Sequence, residues 1–435
     1  MPQIWTNWAG NQRALVELKH PTTEHEICEI VARAATDGRH VKAFGAGHSF
    51  TDAALTDGVL LSLEDYSRVL DLDAAAGLLT VQAGAQLHQI SRYLWSRGFA
   101  LENLGDIDVQ SLAGATSTAT HGTGLRFPNL AAGIVGMRIV TGCGEVVECS
   151  EEHNPELLSV ARVGVGALGI VSTITLRVVP AFHLHAIEEP RRVDEVVSSF
   201  DDLVASNDHF EFFYVPHTGW ALTKTNRRNH DPLQPRSRVN RWRHETLYAN
   251  AAFGLANVIG KARPSAVPRL ARLVPGPGRV EYNEPSFQVL ATPRRVRFVE
   301  MEYAVPLEAT TEALAQVRSW IDSTDSPTMF PIEVRAVAGD DIALSTAYGR
   351  ATGYIAVHAF RGTPYERYFH AVEDIMRAHD GRPHWGKLHF RRAEDLEPVY
   401  PRWDDFQAAR ARLDPDGTFE NAYTHRCFGP TASAR

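Results

Sequence analysis

Several signals that would settle the class of this 435-residue chain are missing. It has only four cysteines, Cys28, Cys143, Cys149 and Cys427, and no C-x-x-C pair, which argues against a zinc ribbon or a thioredoxin-like site. Cys143 and Cys149 flank a turn in "TGCGEVVEC", and free thiols in a reducing cytosol are the expectation. Positive charge is not in surplus: 44 Lys and Arg stand against 52 Asp and Glu, a formal net charge of -8. Nucleic acid and anionic membrane are therefore poor partners, because phosphate binding draws on excess cations. No run of about 18 uncharged apolar residues exists, so no membrane-spanning helix is expected. The start, "MPQIWTNWAGNQ", has neither a basic nor an apolar segment of the kind that directs secretion, and a cytoplasmic location is the expectation. There is no repeat of fixed period, and no metal site is expected.

A nicotinamide-binding fingerprint is missing too. "GAGHSF" carries only the first two glycines of G-x-G-x-x-G, and the residues after it do not read as a helix. "GVGALG", Gly164 to Gly169, has the spacing but runs into a strand, which fails the required context.

What the chain does have is an ordinary globular composition, 44% hydrophobic and 22% charged, and length for two to three domains. "PTTEHEICEIVARAATDG" reads as a helix capped by Thr22 or Thr23, supported by Glu26 and ended by Gly38. "HVKAF", "GVLLSL", "RVLDLD" and "LLTVQAGAQ" read as strands, "LHQISRYLWSRG" as a second helix, and "GIVGMRIVTGCGEVVECS" as a hairpin. "SLAGATSTATHGTG", residues 111 to 124, resembles a linker in composition, but its flanking strands predict a packed segment with backbone close to a ligand.

From about residue 183 the texture changes. "NDHFEFFYVPHTGWALTKTNR" alternates as antiparallel strands do. "RVRFVEMEYAVP", "TMFPIEVRAV" and "YIAVHAF" are further strands, "LEATTEALAQVRSWID" is a helix, and another runs from about Tyr365 to His379. Asn229 to Gly278 reads as loops and a helix. Its Arg-rich part, Arg227 to Arg243, reads as a solvated loop or a partner surface. The expected division is 1–182, 183–383 and 384–435, the last returning to the first.

Two Gly-rich segments, each following a strand, suggest backbone N–H groups aimed at an anion. A lone imidazole, His48, in the first of them is unexplained by phosphate binding. "GAGHSFTDAALTDG", "NLGDIDVQSLAGATSTATHGTG", "MFPIEVR" and "HWGK" together, in order and over nearly the whole chain, resemble the vanillyl-alcohol oxidase superfamily of flavoproteins. Within it they resemble the sugar-1,4-lactone oxidase and alditol oxidase branch.

The resemblance implies an α+β chain, with a two-subdomain FAD-binding domain and an α+β substrate (cap) domain built on an antiparallel sheet. It implies an FAD-linked oxidoreductase acting on CH–OH donors. His48 stands where the branch joins its flavin to a histidine, so covalent FAD is implied; noncovalent FAD is the alternative. Gly45, Ala46, Gly47 and Ser49 fall to the pyrophosphate. Ser111, Gly114, Thr118, Thr120, His121 and Gly122 fall to the second FAD loop, and Gly166 and Val171 to the adenine end. Glu333, Arg335 and Lys387 become the catalytic set. Taken alone, Glu333 and Arg335, two apart on one strand face, would read as a plain salt bridge. Asp106, His358 and Phe360 are implied near the substrate. His358 reads equally as a half-buried strand histidine. Gly105 is implied beside the flavin edge that oxygen must reach. "NLGDID", with Asp106 and Phe360 in place of the alditol branch's Ser and Thr, places an aldono-1,4-lactone ahead of an open polyol. A tailoring oxidase of larger glycosides and a non-enzymatic flavin carrier are the other readings. The acceptor is oxygen or a partner such as a cytochrome or quinone.

Overall fold

Strand pairing divides the chain at Phe182. The computed structural model describes residues 2–237, 253–273, 278–324 and 326–431. Before residue 183 there are two principal sheets. The first joins β1 (Gln3–Thr6), β2 (Arg13–Lys19), β3 (Val41–Phe44) and β4 (Val59–Ser62) in the order β1-β2-β4-β3. Its inner pairs, β2–β4 and β3–β4, are parallel. A parallel sheet needs a crossover, and α1 (Glu24–Thr36) supplies it. Thr23 caps α1 in a reciprocal box with Glu26, and Ile27, Val31 and Ala34 form its buried stripe.

The second sheet is antiparallel. It joins β5 (Val69–Asp73), β6 (Leu78–Gln82), β8 (Ile134–Val140), β9 (Val146–Ser150) and β10 (Ile170–Arg177) in the order β5-β6-β10-β8-β9. The small pair β7 (Phe99–Ala100) and β11 (Val179–Pro180) closes this half. The helix expected in "LHQISRYLWSRG" is α2 (Leu87–Trp95). Residues 111 to 124 are packed as expected but begin with a short helix, α3 (Leu112–Ser117). Ser111 caps it by accepting the Gly114 N–H at 3.2 Å.

From His183 on, one sheet of eight strands takes over. It comprises β12 (His183–Arg192), β13 (His209–Tyr214), β14 (Trp220–Asn229), β15 (Val280–Pro285), β16 (Phe298–Pro306), β17 (Ile332–Val337), β18 (Thr352–Phe360) and β19 (Arg382–Pro383). Their order is β15-β12-β14-β13-β17-β18-β16-β19. Period-two alternation gives this sheet two unlike faces. Phe210, Phe212, Met301, Tyr303, Ile332, Val334, Ile355 and Val357 point to one side. There they pack against the helices Thr310–Ser323 and Glu366–Ala378 in one apolar core. The residues between them point the other way, and many are charged.

After residue 384 the chain returns. Tyr400, Trp403, Phe406, Leu413, Tyr423 and Phe428 join the core of the first half, together with Leu79, Ile90 and Ile139. The described part of 229–278 holds two helices, Phe253–Ala262 and Val267–Leu273. Residues 238–243 of the Arg-rich stretch lie outside the described residues. Among the described residues no helix is long and apolar enough to cross a membrane. All four cysteines are free thiols.

Candidate active site

Two compartments meet at His48. The first is a cavity of about 130 Å³ lined by Gly45, Ala46, Gly47, Ser49, Ser111, Gly114, Thr118, Gly166, Val171 and Lys42, among others. It is a cradle of small residues, where backbone lies unusually close to backbone. A Cβ on Gly45 would fall on Ser111 Oγ, and one on Gly114 would lie 2.9 Å from the same atom. Gly47 and Gly166 have φ of 67° and 64°, which glycine adopts without strain. Among the described residues Lys42 is the one Lys or Arg in the lining. It is 2% exposed, and its Nζ donates to Gly166 O and Phe419 O at 2.9 Å each. Burial drags its pKa down to about 7, and neighbouring Asp414 does not make up the difference. A glycine-rich cradle with one lightly compensated cation fits an elongated anionic ligand such as a dinucleotide.

The second compartment is the charged face of the eight-stranded sheet, where Trp8, His48, Asp106, Arg294, Glu300, Glu302, Glu333, Arg335 and Lys387 line a chamber of about 70 Å³. Register builds it. Lys224 on β14 lies opposite Glu211 on β13, which lies opposite Arg335 on β17. Cross-strand neighbours of this kind interact directly. Arg335 Nε donates to Glu211 Oε2 at 2.9 Å, and Lys224 Nζ stands 3.6 Å from Glu211 Oε1. In the next row Glu333 and Glu302 flank Ala356, whose small side chain leaves room above it. In the row beyond, Glu300 lies opposite His358.

Residues from outside the sheet complete the set. Asp106 accepts from Arg294 Nη2 at 2.7 Å and stands 3.8 Å from Arg335 Nη2. Lys387 Nζ bonds to Glu300 Oε2. His121 Nε2 stands 3.3 Å from Glu302 Oε1, and its ring stacks on Tyr354 at 3.6 Å.

Burial and charge push these groups apart. Burial alone would lower Lys387, but Glu300, Glu302 and Asp106 outweigh it and hold the ammonium above its ordinary pKa. Burial would raise Asp106, yet Arg294, Arg335 and Lys387 bring it well below the usual carboxylate range. Glu333 goes the other way. Burial raises it, and the repulsion of Asp106 and Glu211 adds to that against Arg335, so its pKa reaches about 8. Arg335 Nη2 lies against Glu333 Oε1, but that oxygen has no aligned hydrogen bond among the described residues. His48 stacks on Trp8, with centroids 5.0 Å apart and planes inclined 22°. Burial, with help from Lys387, lowers its pKa to about 4, so the imidazole is neutral at neutral pH.

Comparison with known proteins agrees with this layout. The FAD binding domain family matches residues 18–150, and the D-arabinono-1,4-lactone oxidase family matches residues 174–427. The L-gulono-1,4-lactone dehydrogenase of Mycobacterium tuberculosis is 46% identical over 432 residues, 99% of this chain and 100% of that protein. The chain belongs to the D-arabinono-1,4-lactone oxidase family. Other relatives are the L-gulonolactone oxidase of Scyliorhinus torazame, 33% identical over 97% of each chain, and the alditol oxidase of a Streptomyces species, 31% identical over 96% of this chain and 97% of that one. In fold, the chain is similar to cholesterol oxidase from B. sterolicum, with a TM-score of 0.83, 16% identity, and 99% and 97% of the two chains covered.

The family's FAD fits the cradle: Gly45 to Ser49, the Ser111–Gly114 turn, Thr118, Gly166 and Val171 all line it. Thr120 and His121 line the charged chamber instead, as does Gly105. Gly122 lines neither compartment. A Cβ there would strike Leu104 O and Asn103 Oδ1, so its smallness serves packing. Glu333, Arg335, Lys387 and Asp106 all converge on the chamber.

Two of the residues implied near the substrate stand outside the chamber's lining. Phe360 sits half-buried at the end of β18 and does not line the chamber; its register partner Phe298 does. His358 is also outside the lining. Its Nδ1 is 3.0 Å from Pro331 O and its Nε2 is 3.5 Å from Glu300 Oε1. Sequence reasoning missed Glu211, Lys224, Arg294, Glu300, Glu302 and Lys42. The signal for Glu300 and Glu302 was present: two acids two apart within the apolar strand "FVEMEYAVP" must share one face.

Proposed function

We propose that this chain oxidises the secondary alcohol of an aldono-1,4-lactone of L-gulonic, L-galactonic or D-arabinonic type, giving an ascorbate-like product. One observation carries the reading. Glu333 and Arg335 from β17 and Lys387 from beyond β19 meet in a chamber that shares His48 and Thr118 with the FAD cradle. Bound FAD supplies the acceptor for the hydride that leaves the alcohol carbon.

The chain's own residues do the rest. Lys387, held as an ammonium, polarises the reacting oxygen. Arg335, fixed by Glu211, sets a second positive charge beside it, and both are in place before charge develops. Glu333, protonated at neutral pH, donates a hydrogen bond to a ring hydroxyl. Asp106, gripped by Arg294, bounds the chamber on the other side. A neutral His48 has the free ring nitrogen that a covalent bond to flavin requires, which supports attachment through that residue. Sheet membership supports the division into an FAD domain over 1–182, a substrate domain over 183–383 and a returning segment over 384–435. Four free thiols support a cytoplasmic location. Oxygen is the proposed acceptor, with a cytochrome or quinone as the alternative; relatives bear both oxidase and dehydrogenase names.

The test is a panel of aldonolactones, alditols and aldoses scored by anaerobic bleaching of the flavin. Bleaching by a lactone is expected. Fast bleaching by xylitol or sorbitol with no response to any lactone would put an alditol in its place. Acid precipitation should leave yellow colour in the protein pellet; colour only in the supernatant would remove the covalent bond to His48.

A further inference from the structure

We propose that Glu300 and His358 form a one-proton store behind Lys387 that takes up the hydroxyl proton of the substrate. The inference rests on the alcohol-oxidation reading. That reaction releases a hydride and a proton, and the proton needs a base. Lys387 as an ammonium cannot be that base.

The other candidates are committed. Glu211 is shared by Arg335 and Lys224, Asp106 by Arg294 and Arg335, and Glu302 is paired with His121. His384 Nδ1 accepts the Gly386 N–H at 3.0 Å, so its proton sits on Nε2 and it is a donor. Glu333 already carries a proton at neutral pH.

The His121–Glu302 pair is built alike, with His121 Nδ1 on Gly122 O at 2.9 Å and Nε2 3.3 Å from Glu302 Oε1, but among the described residues the carboxylate bonded to Lys387 Nζ is Glu300, and behind Glu300 stands His358. Its Nδ1 faces a backbone carbonyl, Pro331 O, which can only accept, so Nδ1 carries the hydrogen. In the neutral ring Nε2 is then a bare lone pair, and it faces Glu300 Oε1 at 3.5 Å. Two acceptors look at each other across a gap that one proton fills. Strand register holds the pair opposite one another. Phe298 and Phe330, with centroids 5.0 and 5.9 Å from the His358 ring, screen it from water. Among the described residues the charged or titratable groups facing the pair are Lys387, Glu302 and Glu333. Glu300, Glu333 and His358 lie close enough to hold a cation, but Lys387 Nζ already supplies that charge at Glu300.

In the proton transfer the alcohol O–H breaks and its proton passes to Lys387 Nζ, while another N–H proton of Lys387 passes to Glu300 Oε2. A half-turn of the Glu300 carboxyl presents that proton to His358 Nε2, which takes it. Lys387 ends as an ammonium and Glu300 as a carboxylate. The electron pair of the C–H bond leaves with the hydride to FAD, the oxidant, and the alcohol becomes a ketone.

The experiment uses the FAD-loaded full chain. Nitrogen-15 histidine NMR at neutral pH, with His358 assigned by loss of its signals in His358→Gln, is expected to show Nδ1–H with Nε2 unprotonated at rest. After anaerobic reduction by the best lactone, His358 is expected to be an imidazolium. Stopped-flow reduction of His358→Gln should be about 100-fold slower, should lose the acid limb of the pH profile, and should regain rate with added imidazole. An imidazolium at rest, or a pH profile unchanged in His358→Gln, overturns the proposal. If no sugar-derived alcohol bleaches the flavin, the parent reading fails, while the resting tautomer still tests the store.

Discussion

The FAD cradle and the charged sheet face are both buried and treat charge in opposite ways. The cradle is neutral backbone and small side chains around one lysine, Lys42. Around the chamber the sheet face and the loops against it bring together the carboxylates Asp106, Glu211, Glu300, Glu302 and Glu333 with the cations Lys224, Arg294, Arg335 and Lys387. Burial penalises every ion in both places. In the sheet it is outweighed, because each of these cations has a carboxylate in contact, and Lys387 is driven toward its charged form. In the cradle it wins, and Lys42 falls to about 7. Partner supply, not depth, decides ionisation. The chamber comes with its counter-charges built in, and the cradle is arranged for a ligand that brings them.

The sharpest way to break the comparison is to remove one charge from the compensated side. Lys387→Met should retain FAD with a nearly unchanged spectrum, because the cradle is untouched. It should reduce its flavin at least about 100-fold more slowly, as loss of a preorganised charge at the reacting oxygen does. Rapid-mixing anaerobic reduction checks it. A normal rate would remove Lys387 from the chemistry. The mirror experiment is Gly45→Ala. Its methyl would fall on Ser111 Oγ, an overpacking that costs about 1–3 kcal/mol. FAD affinity should drop by roughly 10- to 100-fold, measured as the flavin-to-protein ratio after dialysis, while the fold and the charged chamber survive.

A subtler effect separates the two regions by the sign of their pH dependence. Lys42 has a folded pKa near 7, below an unfolded value of about 10.4. Between these the unfolded chain binds more protons, so the lysine makes stability rise with pH. Glu333 has a folded pKa near 8, above an unfolded value of about 4.3. Between these the folded chain binds more protons, so it makes stability fall as pH rises. Urea unfolding of FAD-free protein from about pH 6 to pH 9 should therefore lose a rising component in Lys42→Met and a falling one in Glu333→Gln. The same change of sign in both variants would dissolve the distinction.

The cradle was far more legible in the sequence than the charged face. A glycine loop is local: "GAGHSF" and the Ser111 cap carry their geometry within a few residues, and α1 with its Thr23 box is equally local. The antiparallel hairpin of β8 and β9 and the alternating β13 and β14 could be read for the same reason. The charged face depends on register between strands far apart in sequence. Nothing local says that Glu211 will face Arg335, 124 residues on, or that Glu300 will face His358. Glu333, Arg335 and Lys387 were found through family resemblance, whereas the carboxylates that set their ionisation were not. Strand ends are hard to place for a related reason: Phe360 stands outside the lining, and its register partner Phe298 lines the chamber.

The smallest effect expected concerns Gly105, in the lining of the charged chamber. Gly105 lines the chamber, and a methyl there would stand 3.1 Å from Thr120 Cγ2 and 3.4 Å from His121 O. Alanine is thus accommodated if Thr120 gives way by a few tenths of an ångström. Thr120 Oγ1 accepts from Gln110 Nε2 at 3.3 Å, a long bond that can yield. In the proposed reading the substrate binds against Glu333, Arg335 and Lys387 on the sheet side, so reduction by the lactone should change little. If oxygen is the acceptor, as proposed, and approaches past Gly105, one methyl narrows its path, because packed interiors offer few voids for a small molecule. Gly105→Ala should therefore slow reoxidation by oxygen within roughly tenfold, equivalent to about 1.4 kcal/mol of barrier, and leave reduction intact. Stopped-flow reoxidation of the reduced protein at several oxygen concentrations measures it. Slow reoxidation in the unsubstituted protein, with no change on adding the methyl, would mean that Gly105 does not govern the acceptor and that the electrons leave to a protein or quinone partner.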